Sequence, residues 1–223
     1  LWKECDGNIT NNGIYYPNGK LYKEVTTDED GNPIITFITF NGEIILIRRY
    51  TDGQYIDTYY VYNIYNQLAC VIMPKAKIES GAFTDWNNAF RYFYDKRGRL
   101  IEKWLPGNEP IYYVYNKADY LVFMQDGKNR VGVVDKWKFY KYDGLGRIVM
   151  EGTYLRNITR TALQAELDND TICHEKKEYM EGQFSQYFGY SNIAMPQLRS
   201  DSYPANVEIV YYYDNYDFNC DGN

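Results

Sequence analysis

The chain of 223 residues is poor in the residues that usually announce chemistry. It has one histidine, His174, and four cysteines, Cys5, Cys70, Cys173 and Cys220. The cysteines lie far apart and form no Cys-x-x-Cys pair, so metal-ligand spacing is missing and no disulfide framework is implied at this length. They are expected to be mostly reduced, or buried as small hydrophobes; a Cys5–Cys220 bridge stays open as an alternative. A Cys–His pair can make a nucleophile, but neighbours on a strand point to opposite faces, so Cys173 and His174 could not serve each other there. No Gly-x-Ser-x-Gly, His-Glu-x-x-His or P-loop occurs, and the acids Asp28, Glu29 and Asp30 read as a solvated turn. The expectation is a non-enzymatic protein.

No apolar run approaches the roughly 18 residues that span a bilayer; the longest aliphatic run is Ile44-Ile45-Leu46-Ile47. No basic block is present to grip phosphates, and the formal charge is −6, so nucleic acid is not an expected partner. There is no initiator Met, and Leu1-Trp2-Lys3 opens no signal-peptide core. The chain is expected to start inside a longer protein or after a processed signal, which the sequence does not separate.

What the chain has in excess is tyrosine, 26 residues, within an aromatic content of 18% and a hydrophobic content of 45%. The flat ring packs on a pleated surface while the hydroxyl stays wet, so such a chain is expected to be rich in sheet.

One pattern recurs. It reads Tyr60-Val61-Tyr62-Asn63-Ile64-Tyr65-Asn66-Gln67-Leu68, then Tyr92-Phe93-Tyr94-Asp95 through Gly98-Arg99-Leu100. Further copies start at Tyr113, Tyr140 and Tyr211, with a degenerate one at Val25. Tyr-x-Tyr puts two rings on one strand face. The next residue is always Asp or Asn, favoured at the first position of a type I turn because its side chain caps amides two residues on. Three residues later stands Gly, Asn or Asp, which tolerate left-handed backbone. That combination makes a hairpin closed by a G1 bulge. The turn pairs are Asp28 with Gly31, Asn63 with Asn66, Asp95 with Gly98, Asn116 with Asp119, Asp143 with Gly146 and Asp214 with Asp217. Further hairpin signals stand at Asn41-Gly42, Asp52-Gly53 and Asp126-Gly127.

The fold class expected is therefore mainly β: one domain over 1–223, a curved, open antiparallel meander of hairpin repeats at about 14–154 and 207–223, with an insertion at about 155–206. Within the insertion a short helix is expected near 159–168, capped by Thr159 or Thr161, with Leu163 and Leu167 on one face. A second helical turn is expected near Thr84–Phe90, and residues 183–206 read as irregular.

Tyr142-Asp143-Gly144-Leu145-Gly146-Arg147 and Tyr94-Asp95-Lys96-Arg97-Gly98-Arg99 resemble the core of the tyrosine–aspartate (YD) repeats of RHS proteins. Leu163-Gln164 and Tyr212 to Phe218 are similar to RHS-repeat proteins of the Bacteroidetes type. The resemblance implies a bacterial secreted or cell-surface protein whose repeats wind a β-shell around a toxin, with the rest of the parent protein as partner. It also implies carbohydrate binding. No self-cleaving core motif or variable toxin segment is present in this sequence, so the chain would be an open part of such a shell.

Two kinds of site follow. The tyrosine ladder reads mainly as cross-strand packing. Trp86 and Trp104, read as exposed and outside the repeat core, are the better candidates for stacking glycans. Asp217, Asn219 and Asp221, followed by Gly222, form the first half of a calcium loop, which lacks the position of the bidentate Glu. Arg99 and Arg147 are placed to pair with the aspartate of a neighbouring repeat.

Overall fold

A computed structural model describes residues 2–5, 7–11, 13, 15–79, 81–178, 187–198 and 203–213, with Cys5 described by its backbone only. Asp214, Asp217, Asn219, Asp221 and Cys220 lie outside the described residues, and with them the last repeat turn and the calcium-loop residues. Among the described residues the fold is mainly β and antiparallel, with one α-helix. The 1–223 span comprises two compact units, 1–110 and 111–223.

In the first unit, seven strands follow one another in an open sheet: β3 (Tyr22–Thr27), β4 (Pro33–Ile38), β5 (Ile44–Thr51), β6 (Gln54–Tyr62), β7 (Leu68–Ile72), β9 (Ala89–Tyr94) and β10 (Leu100–Trp104). A small second sheet is formed by β1 (Trp2–Cys5), β2 (Asn8–Asn11) and β8 (Gly81–Ala82). Between them Ile9, Val61, Cys70, Ile72, Phe83 and Ala89 are buried, with Trp2, Tyr59 and Trp86 packed against them. The helical turn expected near residues 84–90 is a single 3-10 turn, Trp86–Asn88.

The second unit has β11 (Ile111–Tyr115), β12 (Leu121–Gln125), β13 (Lys136–Tyr142), β14 (Ile148–Leu155) and β15 (Ala205–Val210) in order, and the helix α1 (Arg160–Asn169). Thr159 caps α1 by accepting from the Ala162 amide. Leu163 and Leu167 are buried against Phe123, Phe139 and Tyr154. Gln164 docks the helix by bonding both the amide and the carbonyl of Tyr115, at 3.0 and 2.7 Å. Asp126-Gly127, read as a hairpin signal, opens the connection between the antiparallel β12 and β13 with a 3-10 turn, Gly127–Arg130, which Asp126 caps.

The repeat turns take one form. The fourth residue donates to the carbonyl of the first, as from Gly98 to Asp95 (3.0 Å) and Asn66 to Asn63 (3.0 Å). The first residue's own amide is met by the fifth residue's carbonyl, as Asp95 by Arg99 and Asp143 by Arg147. The Oδ1 of Asp28, Asn63, Asp95, Asn116 and Asp143 accepts from amides two and four residues on. Gly31, Asn66, Gly98, Asp119 and Gly146 all have positive φ. Arg99 and Arg147 each pair with the aspartate of their own turn, Nε to Oδ2 at 2.7 Å.

A second regularity breaks the alternation on which sequence reading depends. Five hairpins have a one-residue bulge just after the return strand opens, with Ile45, Ala69, Ile101, Val122 and Val149 as the extra residue. A bulge lets two consecutive residues avoid strict alternation. Ala69 with Cys70, Val122 with Phe123, and Val149 with Met150 are all buried pairs.

Candidate functional site

The tyrosines of the repeat have a definite task. The hydroxyl of the second tyrosine donates to the carbonyl that opens the return strand of the preceding hairpin: Tyr62 to Ile44 (3.0 Å), Tyr94 to Leu68 (2.9 Å), Tyr142 to Leu121 (2.7 Å) and Tyr213 to Ile148 (2.9 Å). Each acceptor lies next to a bulge residue. These four tyrosines thus tie their hairpins to the preceding ones through a side chain as well as through the ladder. Burial pushes the Tyr142 hydroxyl up to about 12, with Tyr140 adding to the effect, which keeps it a neutral donor. In two of the triplets the residue between the tyrosines is buried in the core: Val61 is 2% and Val114 0% exposed.

A cleft of about 640 Å³ lies in the first unit. Trp2, Tyr15, Tyr16, Tyr59 and Phe37 supply aromatic walls, and Arg48, Glu43 and Asn63 supply polar groups. Trp2 meets Tyr59 edge-on, with ring centroids 6.0 Å apart. Arg48 on β5 lies opposite Asp57 on β6 and grips it with two bonds, at 2.7 and 2.8 Å. The Tyr59 hydroxyl donates to the same carboxylate at 3.1 Å. The Arg48 hydrogen bond holds the Asp57 carboxyl below its ordinary range against the opposing effect of burial. Burial and the Asp57 charge raise Tyr59 to about 12, so it too stays a neutral donor. Such mutually satisfied groups are pre-set in geometry. Tyr15 is largely exposed and Tyr16 marginally so, leaving ring surface for a ligand.

Trp86 and Trp104 are brought to one place, half-buried rather than exposed. The Arg91 guanidinium lies over both rings, 4.2 Å from the centroid of Trp86 and 5.5 Å from that of Trp104, and 4.9 Å from Phe93. Trp104 is on β10 within the repeat, and its indole N–H donates to Glu102. A cation occupies the space these rings share. Arg91 also lines a smaller concavity of about 350 Å³, with Glu4, Tyr92 and Asp95. Sequence reading missed the cleft residues Trp2, Tyr15, Tyr16, Arg48 and Tyr59, and Asp57, which holds Arg48. Arg48 and Asp57, nine residues apart across the tight Asp52-Gly53 turn, were the one signal available.

Cys70 is buried, and burial pushes its thiol up to about 12 despite the opposing charge of Arg91, the opposite of what a nucleophile needs. Cys70 and Cys173 are free thiols. Cys173 and His174 lie in an irregular segment after α1 and not in a strand; Glu175, beside them, is buried. Among the described residues, no group of three or more His, Cys, Asp or Glu is placed to hold a metal ion, and no helix is long and apolar enough to cross a membrane.

The chain matches no protein-family model and no curated protein.

Proposed function

We propose that the chain is a non-enzymatic scaffold segment of a secreted or cell-surface repeat protein of the RHS type, part of a shell around a toxin. The observation that supports this reading most is the recurring tyrosine clamp, Tyr62, Tyr94, Tyr142 and Tyr213 each bonding the preceding hairpin's opening carbonyl. A device repeated at one place in successive hairpins serves assembly rather than a single reaction, and its natural partner is more of the same repeat in the parent protein. The test is localisation of the native protein by antibody on intact cells, with protease added outside. Surface labelling or release into the medium, with protease sensitivity, is the expected result; a protein found only inside intact cells overturns the reading.

The aromatic cleft favours a second reading, a carbohydrate-binding surface module. Rings for stacking and a pre-set Arg–Asp–Tyr group are what a sugar with apolar faces and hydroxyl edges requires. A glycan array screened with and without calcium tests it. Binding lost in Tyr59→Ala and Arg48→Ala but kept in Trp104→Ala supports the cleft. Binding lost only in Trp86→Ala or Trp104→Ala moves the site to the Arg91 cluster, and no binding to any glycan sinks this reading.

A further inference from the structure

Position 141 is the middle residue of a Tyr-x-Tyr triplet, a place that faces the core, yet it holds a lysine that is 1% exposed. A charge there requires a partner. Its Nζ lies 2.5 Å from Oε1 of Glu175, and both side chains are 0% exposed. Nζ also lies 2.7 Å from the Ala194 carbonyl and 3.4 Å from Oδ1 of Asn192. Glu175 is held in turn: Oε2 accepts from Ser191 Oγ (2.5 Å) and the Ile193 amide (3.0 Å), and Oε1 from the Ala194 amide (3.2 Å). The Asn192 carboxamide is fixed at both ends by Leu198, whose amide donates to Oδ1 at 2.8 Å and whose carbonyl accepts from Nδ2 at 3.0 Å. A buried amine, a carboxyl in contact with it and an oriented primary amide are the three groups needed to form an amide between side chains.

We infer that Lys141 and Asn192 become joined by an isopeptide bond, with Glu175 as the catalytic proton carrier. In this step a proton passes from the Lys141 ammonium to the Glu175 carboxylate in contact with it, which frees the lone pair of Nζ. The Nζ lone pair attacks Cγ of Asn192, one bond beyond the Oδ1 it already touches. Glu175 gives its proton to Nδ2 and takes one from Nζ; the Cγ–Nδ2 bond breaks and ammonia leaves. An amine and a primary amide thus become a secondary amide and ammonia, with no oxidant or other reactant consumed. Burial holds the Lys141 ammonium below its ordinary range, although the Glu175 charge opposes this. The product would close a loop between residues 51 positions apart and tie the segment 187–198 to β13.

Intact-mass measurement of the folded wild-type protein, with peptide mapping, decides the matter. The expected result is a mass lower than that of the sequence by about 17 Da, the mass of ammonia, together with one branched peptide joining the Lys141 and Asn192 segments. Asn192→Ala, which leaves the Lys141–Glu175 pair intact, and Glu175→Gln are expected to show the full sequence mass and separate peptides. A wild type at full mass after prolonged incubation overturns the inference, and Lys141 and Glu175 are then an ion pair only. A mass deficit with no branched peptide reports cyclisation of an asparagine on its own backbone and equally overturns it. A branched peptide that persists in Glu175→Gln removes the role given to Glu175.

Discussion

The Tyr142 hydroxyl donates to the Leu121 carbonyl at 2.7 Å while the Tyr142 ring stacks on Tyr120, with centroids 4.7 Å apart and planes 26° from parallel. One side chain thus covers the turn of the preceding hairpin and satisfies a backbone acceptor at its bulge. The same hydrogen bond joins Tyr94 to Leu68 and Tyr213 to Ile148.

Replacing Tyr142 by Phe keeps the stacked ring and removes only the donor. The expected cost is about 1 kcal/mol, as for one part-buried hydrogen bond, with the fold retained. Urea unfolding of Tyr142→Phe and wild type measures it through the midpoint at constant slope. A midpoint unchanged within error would show that the clamp adds nothing to stability.

Gly146 has φ +77°, and a Cβ built there would stand 2.5 Å from the Tyr120 hydroxyl oxygen. Gly146→Ala therefore meets both left-handed backbone and a side chain, and a loss of about 2 kcal/mol or more is expected. Asp119, at the equivalent position of its own turn, also has positive φ, 64°. Thermal unfolding of Gly146→Ala against the wild type measures this loss.

Acid should loosen the repeat turns. Burial raises the carboxyls of Asp95 and Asp143, but the amides and guanidinium groups of Arg99 and Arg147 outweigh it, and both net values lie below the ordinary one. A carboxyl with a depressed folded value contributes stability above its unfolded value and loses it as pH falls through the folded one. The wild type should therefore hold its stability down to about pH 4 and lose it below, with each turn contributing roughly 1 kcal/mol or less because these groups are partly solvated. In Asp95→Asn and Asp143→Asn the amide side chain keeps one acceptor but has no charge to lose, so the acid-dependent part should shrink. Unfolding midpoints measured from pH 7 to pH 3 would show this; identical slopes in wild type and both variants would refute it.

The turns were legible from sequence because everything that sets them is local: a side-chain cap reaching amides two and four residues on, and a residue that accepts positive φ three residues later. Asp95 to Arg99 needs no knowledge of the rest of the chain. The helix from Arg160 to Asn169 was legible for the same reason, through Thr159 as its cap and the Leu163–Leu167 spacing. Tertiary structure alone decided what the tyrosine hydroxyls bond, since Ile148 is 65 residues before Tyr213. It alone placed Trp2 against Tyr59, and Arg91 over Trp86 and Trp104. It alone put Glu175 beside Lys141, 34 residues away. The lysine inside a core-facing triplet signalled that some partner was required, because an unpaired charge cannot stay buried. Which residue answers it depends on how the segment after α1 returns to the sheet, and that path is set by packing rather than by any local preference.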